Sequence, residues 1–401
     1  MTEQAASKRT FGLFAIYYFV YASQLGIATI YLPPVFVALG LSGKQLGAVL
    51  GIPPLVGCVA PLVWGHLADR TGHRSRVLRL ISLGAVGGFL GLYFANDTVS
   101  LAAVLIVIAA FRSGMPPLVD ALALAKLDSR QYVRARVCES IGWISTTFLF
   151  GRVFAGTTVD GTWAIRIPHL CLAVAAAVPW LLPTEAPVSG PRPTVGDTFR
   201  LLRDRRLQTL LLPLMIYWVG MGPFDTMLAL HAESLGFSAS AAGDAFGVAV
   251  IAEIVVMTIA SRASIDLFGS RRWSAKRVLL FVMASTALRW WLTAIVTHLW
   301  AFLAIQAIHG LSFGAFVIVS IREVRALVPE RLRATGQALL FSIVGGVGGT
   351  LGALIAGSMY DVGGTALAFK VGAGAVAVAF AAMLFHRETV AAEPAMPERV
   401  A

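Results

Sequence analysis

Gly65-His66-Leu67-Ala68-Asp69-Arg70-Thr71-Gly72-His73-Arg74 decides how the chain folds, because this short charged stretch stands between two long apolar runs. A segment carrying one Asp, two Arg and two His cannot sit in hydrocarbon, so it must surface where two membrane spans meet water. Its glycines suit a tight turn, and Asp69 with the arginines can tie neighbouring helix ends together by charge. A worn copy follows almost half the chain later: Asp69-x-x-Gly72-x-Arg74 recurs as Asp266-x-x-Gly269-x-Arg271, trailed by Arg272, Lys276 and Arg277. Two halves built on one plan are the hydropathy symmetry expected of a membrane transporter.

Composition agrees with that reading. Of the 401 residues 57% are hydrophobic and only 13% charged, with a mean hydropathy of +0.78; a soluble globular protein carries about 25% charge. The net charge of +11 does not indicate nucleic acid, because the cations sit in short loops between apolar runs and not on a soluble domain. Cys58, Cys138 and Cys171 all lie in apolar segments and read as packing residues, with no metal spacing and no disulfide framework. No metal or other cofactor is expected. Catalytic signatures are also missing: there is no His-Glu-x-x-His, no phosphate-binding Gly-rich loop ending in Lys-Ser/Thr and no serine nucleophile elbow, so an enzyme is not expected.

Residues 1–10 form a short polar lead, and the run that follows is too long for a signal-peptide core. Apolar segments of spanning length lie at 11–32, 44–64, 77–95, 100–123, 136–158 and 164–182, and again at 209–230, 242–264, 277–297, 300–321, 336–358 and 364–386. The expected organisation is an N-terminal six-helix bundle (1–182), a linker rich in Pro, Gly and Arg (183–208), a C-terminal six-helix bundle (209–390) and a polar tail (391–401). Cations cluster at 8–9, 70–79, 126–134, 200–206, 271–277 and 322–333, all on one side of a twelve-span thread. The opposite loops carry little beyond Lys44, Arg166 and Lys370. The positive-inside rule then places both termini in the cytoplasm of a multi-pass protein of the cell (inner or plasma) membrane.

More of the duplication appears in Arg134-x-Arg136 against Arg331-x-Arg333 and in Ala155-Gly156-x-x-x-Asp160 against Ala356-Gly357-x-x-x-Asp361. The stretch 65–74 resembles the signature loop between the second and third helices of the major facilitator superfamily. Within it the chain is similar to the lactose permease branch, with its phenylpropionate and nucleoside proton symporters. The resembling stretches are Pro117-Leu-Val-Asp120-Ala, Arg134-Ala-Arg136-Val, Gly142-Trp143, Ala252-Glu253, Leu288-Arg289, Ile308-His309 and Gly357-Ser-Met-Tyr360. The resemblance implies an all-α membrane protein with twelve transmembrane helices in two pseudo-symmetric bundles around a central cavity. It further implies a monomer that works by alternating access, with Gly65, Asp69, Arg70, Gly72 and Arg74 as its gating loop.

An ionisable group inside a span costs a few kcal/mol on insertion scales, so each one needs a partner or a task. Asp120 lies well inside the fourth segment, eight residues after Arg112. Arg136, Ser140, Trp143 and Thr147 share one face of the fifth helix, although Glu139, one turn from Arg136, can neutralise it locally. Glu253 has no cation in its own turn and would stand neutral alone, able to hold a proton. His309 reads either as a hydrogen-bonded core histidine or as a group that exchanges protons near neutral pH. By resemblance, Asp120 and Arg136 pair at the substrate and Trp143 stacks on it, while Glu253, Arg289 and His309 join substrate recognition to proton coupling.

Departures from the lactose permease pattern matter too. Ser312 stands where that permease carries its proton-bearing glutamate, which leaves Glu253 and then Asp225 as the candidate proton carriers. Gln306 replaces the lysine expected to pair with Asp225, so Asp225 either titrates or caps a helix unwound after Gly222-Pro223. Val256 replaces a sugar-binding amide. Gln306, His309, Phe313 and Phe316 fall on one helical face, and with Trp290 and Trp291 they suggest a rigid or aromatic solute. The expected partners are thus a small solute of the sugar, nucleoside or aromatic acid class, protons and the lipid bilayer, and the expected function is proton-coupled symport. A uniporter, exchanger or proton-driven exporter of the same fold is the alternative.

Overall fold

The computed structural model describes residues 3–153, 161–182, 195–262 and 274–386, and among these residues there is no strand. Helices are what a lipid-facing backbone requires, since hydrocarbon offers no partner to an open N–H or C=O. The first half carries α1 (Glu3–Ala38), α2 (Gly43–Gly57), α3 (Ala60–Thr71), α4 (Arg74–Leu90), α5 (Thr98–Arg112), α6 (Met115–Lys126), α7 (Ser129–Val153) and α8 (Gly161–Leu181). A short α9 (Val195–Leu202) follows. The second half carries α10 (Arg205–Ser234), α11 (Ala239–Arg262), α12 (Ala275–Ile295), α13 (Leu299–Gln306), α14 (Ala315–Leu327), α15 (Arg333–Leu340) and α16 (Gly349–Leu384).

Among the described residues nine helical stretches are long and apolar enough to cross a membrane. The last of them, Thr335–Leu384, has 50 residues, about 75 Å of helix at 1.5 Å per residue against a hydrocarbon core of about 30 Å. It breaks at Gly363 and at Gly364, whose φ of 70° places it in the left-handed region where only glycine sits without strain. Other breaks also follow from local sequence. Pro61 opens α3 and Pro116 and Pro117 open α6, where a missing N–H costs nothing. Between α13 and α14 the segment Gly310–Gly314 is a π-turn, and Phe341–Gly348 is another.

Three expectations change. The 65–74 stretch is not a loop throughout: α3 runs to Thr71, Gly72 closes it at a φ of 69°, and α4 begins at Arg74. The helix continues because its backbone has no other source of hydrogen bonds until it meets water. The 183–208 linker is partly helical, with α9 inside it and α10 starting at Arg205. Gly222-Pro223 does not unwind its helix, because α10 is continuous through both residues, so Asp225 is not a cap. The second copy at 266–271, together with Gly156 and Asp160 of the other repeat, lies outside the described residues.

Helix α1 packs on α7 and α8, α4 on α5 and α8, and α10 and α12 on α16, while α2 against α16 and α7 against α11 join the two halves of the chain. Those joints are close because they are lined with small residues. A methyl on Gly357 would strike the carbonyl of Gly43, and one on Gly243 the carbonyl of Thr147. At the end where α1 passes into α2, Asp361 accepts from the backbone N–H of Gly43 (2.5 Å) and Lys44 (2.8 Å). Arg152 meets Asp244 there at 2.8 Å.

Candidate functional site

Between the two halves lies a cavity of ≈770 Å³, walled by α1, α2, α4, α5 and α7 on one side and by α10, α11 and the α13–α14 junction on the other. Its wall is largely apolar, with a few charged groups: Arg112, Arg136 and Glu139 from the first half, Asp225 and Glu253 from the second, and His309 beside them. That is the composition of a small-molecule pocket, in which an apolar body is oriented by sparse polar contacts.

On the first wall the α7 face presents Arg136, Ser140 and Trp143 to the cavity. Thr147, one turn further, is buried, and its carbonyl accepts from the Tyr31 hydroxyl at 3.3 Å. Asp120 stands behind this wall. It accepts a hydrogen bond from Tyr18 at 2.6 Å and lies 3.6 Å from Arg136. Arg136 is closer to Glu139, at 2.7 Å, and its guanidinium covers the Tyr18 ring at 5.3 Å. The cation is therefore shared between two acids, and the local one holds it more tightly. Arg112 does not join Asp120, because the break between α5 and α6 separates them; it reaches Gln24 at 3.5 Å. Sequence reasoning passed over Tyr18 and Gln24, although polar groups in the apolar run of α1 were a signal available to find them.

On the second wall Asp225 is accessible in the cavity, next to Phe224. Glu253 approaches His309, with Oε2 3.9 Å from Nε2, within ion-pair reach but longer than a hydrogen bond. The buried imidazole lies between the rings of Phe224 and Phe313, at 5.2 and 5.1 Å. Its Nδ1 is 2.7 Å from Arg289 Nη1. A guanidinium can only donate, so Nδ1 accepts and the neutral ring carries its proton on Nε2, facing Glu253.

Arg289 is fully buried and does not line the cavity. Gln306 Oε1 accepts from its Nε (3.1 Å) and Nη2 (2.6 Å), and Phe224 and Trp290 cover the guanidinium at 4.5 and 4.2 Å. Glu253 does not meet Arg289 directly; His309 stands between them. The aromatic and polar residues of the tenth apolar segment keep one row, but only His309 and Phe313 of it line the cavity. Gln306 and His309 both meet Arg289, His309 stacks on Phe313, and Phe316, beyond the π-turn at Gly310–Gly314, stacks on Tyr217 at 4.5 Å. Trp290 is buried under Arg289 and Trp291 is exposed on the far side of α12, so neither touches the cavity. Ser312 is buried and donates to the carbonyls of Ile308 and His309.

Gly65 within α3, and Arg70, Gly72 and Arg74 at the α3–α4 turn, lie away from the cavity wall. The side chain of Asp69 lies outside the described residues. No group of three or more His, Cys, Asp or Glu able to hold a metal occurs among the described residues.

The sequence profile of the MFS_1 like family matches residues 13–371. The maltose permease of Geobacillus stearothermophilus is 27% identical over 97% of this chain and 97% of its own length. The "Probable 3-phenylpropionic acid transporter" of Escherichia coli (strain K12) is 25% identical over 78% of this chain and 81% of its own. Among solved structures, that of the nucleoside transporter NupG superposes with a TM-score of 0.81 at 17% identity, covering 94% of this chain and all of the other. The chain belongs to the MFS_1 like family: it is a multi-pass membrane transporter and not an enzyme.

Proposed function

We propose that the chain is a proton-coupled symporter of a small hydroxylated solute, built as twelve transmembrane helices in two six-helix bundles and working by alternating access. The twelve spans are the nine apolar stretches with the last divided at Gly363–Gly364, plus α7 and α11. Helix α7 has the length of a span but is too rich in charge to score as one, with Arg130, Arg134, Arg136, Glu139 and Arg152 along it. The two bundles (1–182 and 209–390) face each other across the cavity as a monomer in the cell membrane, with both termini in the cytoplasm. The joint of α2 with α16 and of α7 with α11 is then the extracellular seal, and the 65–74 turn gates the cytoplasmic side.

Solute binds to Arg136, Trp143, Glu253 and His309, with Asp120 supporting Arg136 from behind. Guanidinium groups on one wall donate to hydroxyls, carboxylates on the other accept from them, and the indole supplies a stacking face. The maltose permease relative, matched over nearly its whole length, favours a sugar over the nucleoside and aromatic acid classes. The observation that carries the coupling is the setting of Glu253: a carboxyl at the cavity wall that approaches His309, with this neutral histidine standing between it and the buried Arg289. Such an acid can take a proton together with the solute and release it to the other side, with Asp225 as a second carrier in the same cavity. Ser312, which carries no acid, favours the alternative of an exchanger or uniporter.

The test is the external pH of a weakly buffered suspension of de-energised cells expressing the protein, as maltose, nucleosides and aromatic acids are added in turn. Transient alkalinisation with one class, lost in Glu253→Gln while solute exchange persists, is the expected result. Uphill accumulation at the wild-type level in Glu253→Gln removes Glu253 from the coupling, and exchange with no pH change for any solute establishes the exchanger.

A further inference from the structure

Gln306 has no place in the mechanism so far, yet it is fully buried and all of its amide is used. Its oxygen accepts from Arg289 twice. Its nitrogen donates to the carbonyl of Phe302 at 3.2 Å and to the Thr293 hydroxyl oxygen at 3.4 Å. Thr293 spends its own proton on the carbonyl of Arg289, at 2.8 Å, so toward Gln306 it can only accept. The orientation of the amide is thereby forced: the flipped form would set N–H against N–H at Arg289 and oxygen against the carbonyl of Phe302. Buried polar groups pay heavily for an unmade bond, which locks the whole chain from Thr293 through Gln306 and Arg289 to His309.

A neutral acceptor at this position does what neither charged alternative does. A carboxylate would pair with Arg289 and cancel its charge, and an ammonium would repel it. The amide holds the guanidinium in place and leaves the charge intact, with its third nitrogen aimed at His309. We propose that Gln306 is a positioning residue of the coupling site: by pinning Arg289 it fixes His309 as the Nε2–H tautomer that faces Glu253. This rests on the reading of Glu253 as the coupled acid. The charged groups around His309 are Arg289 from α12, Glu253 from α11 and Asp225 from α10, which lines the same cavity; Gln306 acts on the imidazole only through the first of these.

The experiment is ¹⁵N NMR of the full-length protein, labelled at its seven histidines and held in lipid nanodiscs, with the His309 signal identified by its loss in His309→Gln. The wild type is expected to show His309 as Nε2–H. Gln306→Leu should shift it to a mixture with the Nδ1–H form, lower uphill accumulation at least tenfold and change solute exchange by less than threefold. Gln306→Glu, which keeps an acceptor oxygen, should restore the Nε2–H signal while moving the pH profile of accumulation. If Gln306→Leu does not reach the membrane, Thr293→Val removes the group that holds the amide and should give the same tautomer change. An unchanged His309 signal in Gln306→Leu or Thr293→Val overturns the proposal and leaves Gln306 a packing residue. A tautomer that follows Gln306 in a protein that moves no protons would uphold the positioning and remove the coupling alone.

Discussion

The two walls of the cavity handle charge in opposite ways. In the first half, Arg136 has Glu139 at 2.7 Å and Asp120 at 3.6 Å, so one cation is compensated by acids on its own wall. In the second half, Arg289 is held by an amide, an imidazole and two aromatic faces, with no acid in ion-pair contact among the described residues. The acids of that wall, Glu253 and Asp225, stand at the cavity without direct contact to it. A compensated cluster changes little when a proton arrives, since its members already satisfy one another. An uncompensated cation near unpaired acids responds, because each protonation alters the balance of a low-dielectric site. On the proposed reading, the first wall holds the solute and the second couples it.

The comparison breaks most sharply at Arg289. Arg289→Met leaves Gln306 Oε1 and His309 Nδ1 buried without donors, a loss of about 1–3 kcal/mol for each orphaned group, and should reduce uphill accumulation to background. Arg289→Lys should not rescue it, because a single ammonium cannot serve both partners with the geometry of a planar fork. Accumulation retained by either variant, measured with the solute identified by the pH assay, would mean that the second wall is no different in kind from the first.

Glu139→Gln sharpens the same contrast with a smaller effect. It releases Arg136 to Asp120, and the expected result is a three- to tenfold weaker apparent solute affinity with the accumulation ratio at saturating solute unchanged. A collapsed accumulation ratio in this variant would place coupling on the first wall as well. Smallest is Tyr18→Phe, which removes one hydrogen bond to Asp120 and should cost on the order of 1 kcal/mol. It should be visible as a fall of a few degrees in the unfolding temperature in detergent, with transport close to wild type.

How much of this could be read from the chain differs between the walls. Arg136, Ser140 and Trp143 were placed correctly on one face because α7 is a regular helix, and regular spacing is legible. Glu139 was recognised as a competitor for Arg136 for the same reason. In the tenth segment spacing kept Gln306, His309, Phe313 and Phe316 in one row but could not say which of them reach the cavity, because that depends on how α12 and α10 pack against the row. Gln306 read as the loss of a lysine partner for Asp225; only when α12 is packed beside α13 does it become the clamp on Arg289. The signature stretch at 65–74 was legible as a helix-to-helix turn, but its length was overestimated, because helix continues as far as the backbone lacks water.

By itself, the sequence determined that this protein lives in a membrane, and it marked which few ionisable residues needed explaining. Those conclusions follow from the cost of placing charge in hydrocarbon, a property of each residue and its immediate neighbours. Which of those residues touch across helices was decided by tertiary structure. The approach of His309 between Glu253 and Arg289, the reach of Asp120 to Arg136 and the capping of the α2 N-terminus by Asp361 join residues up to 318 positions apart. Contacts of that range depend on helix rotation and on local breaks that no residue spacing records.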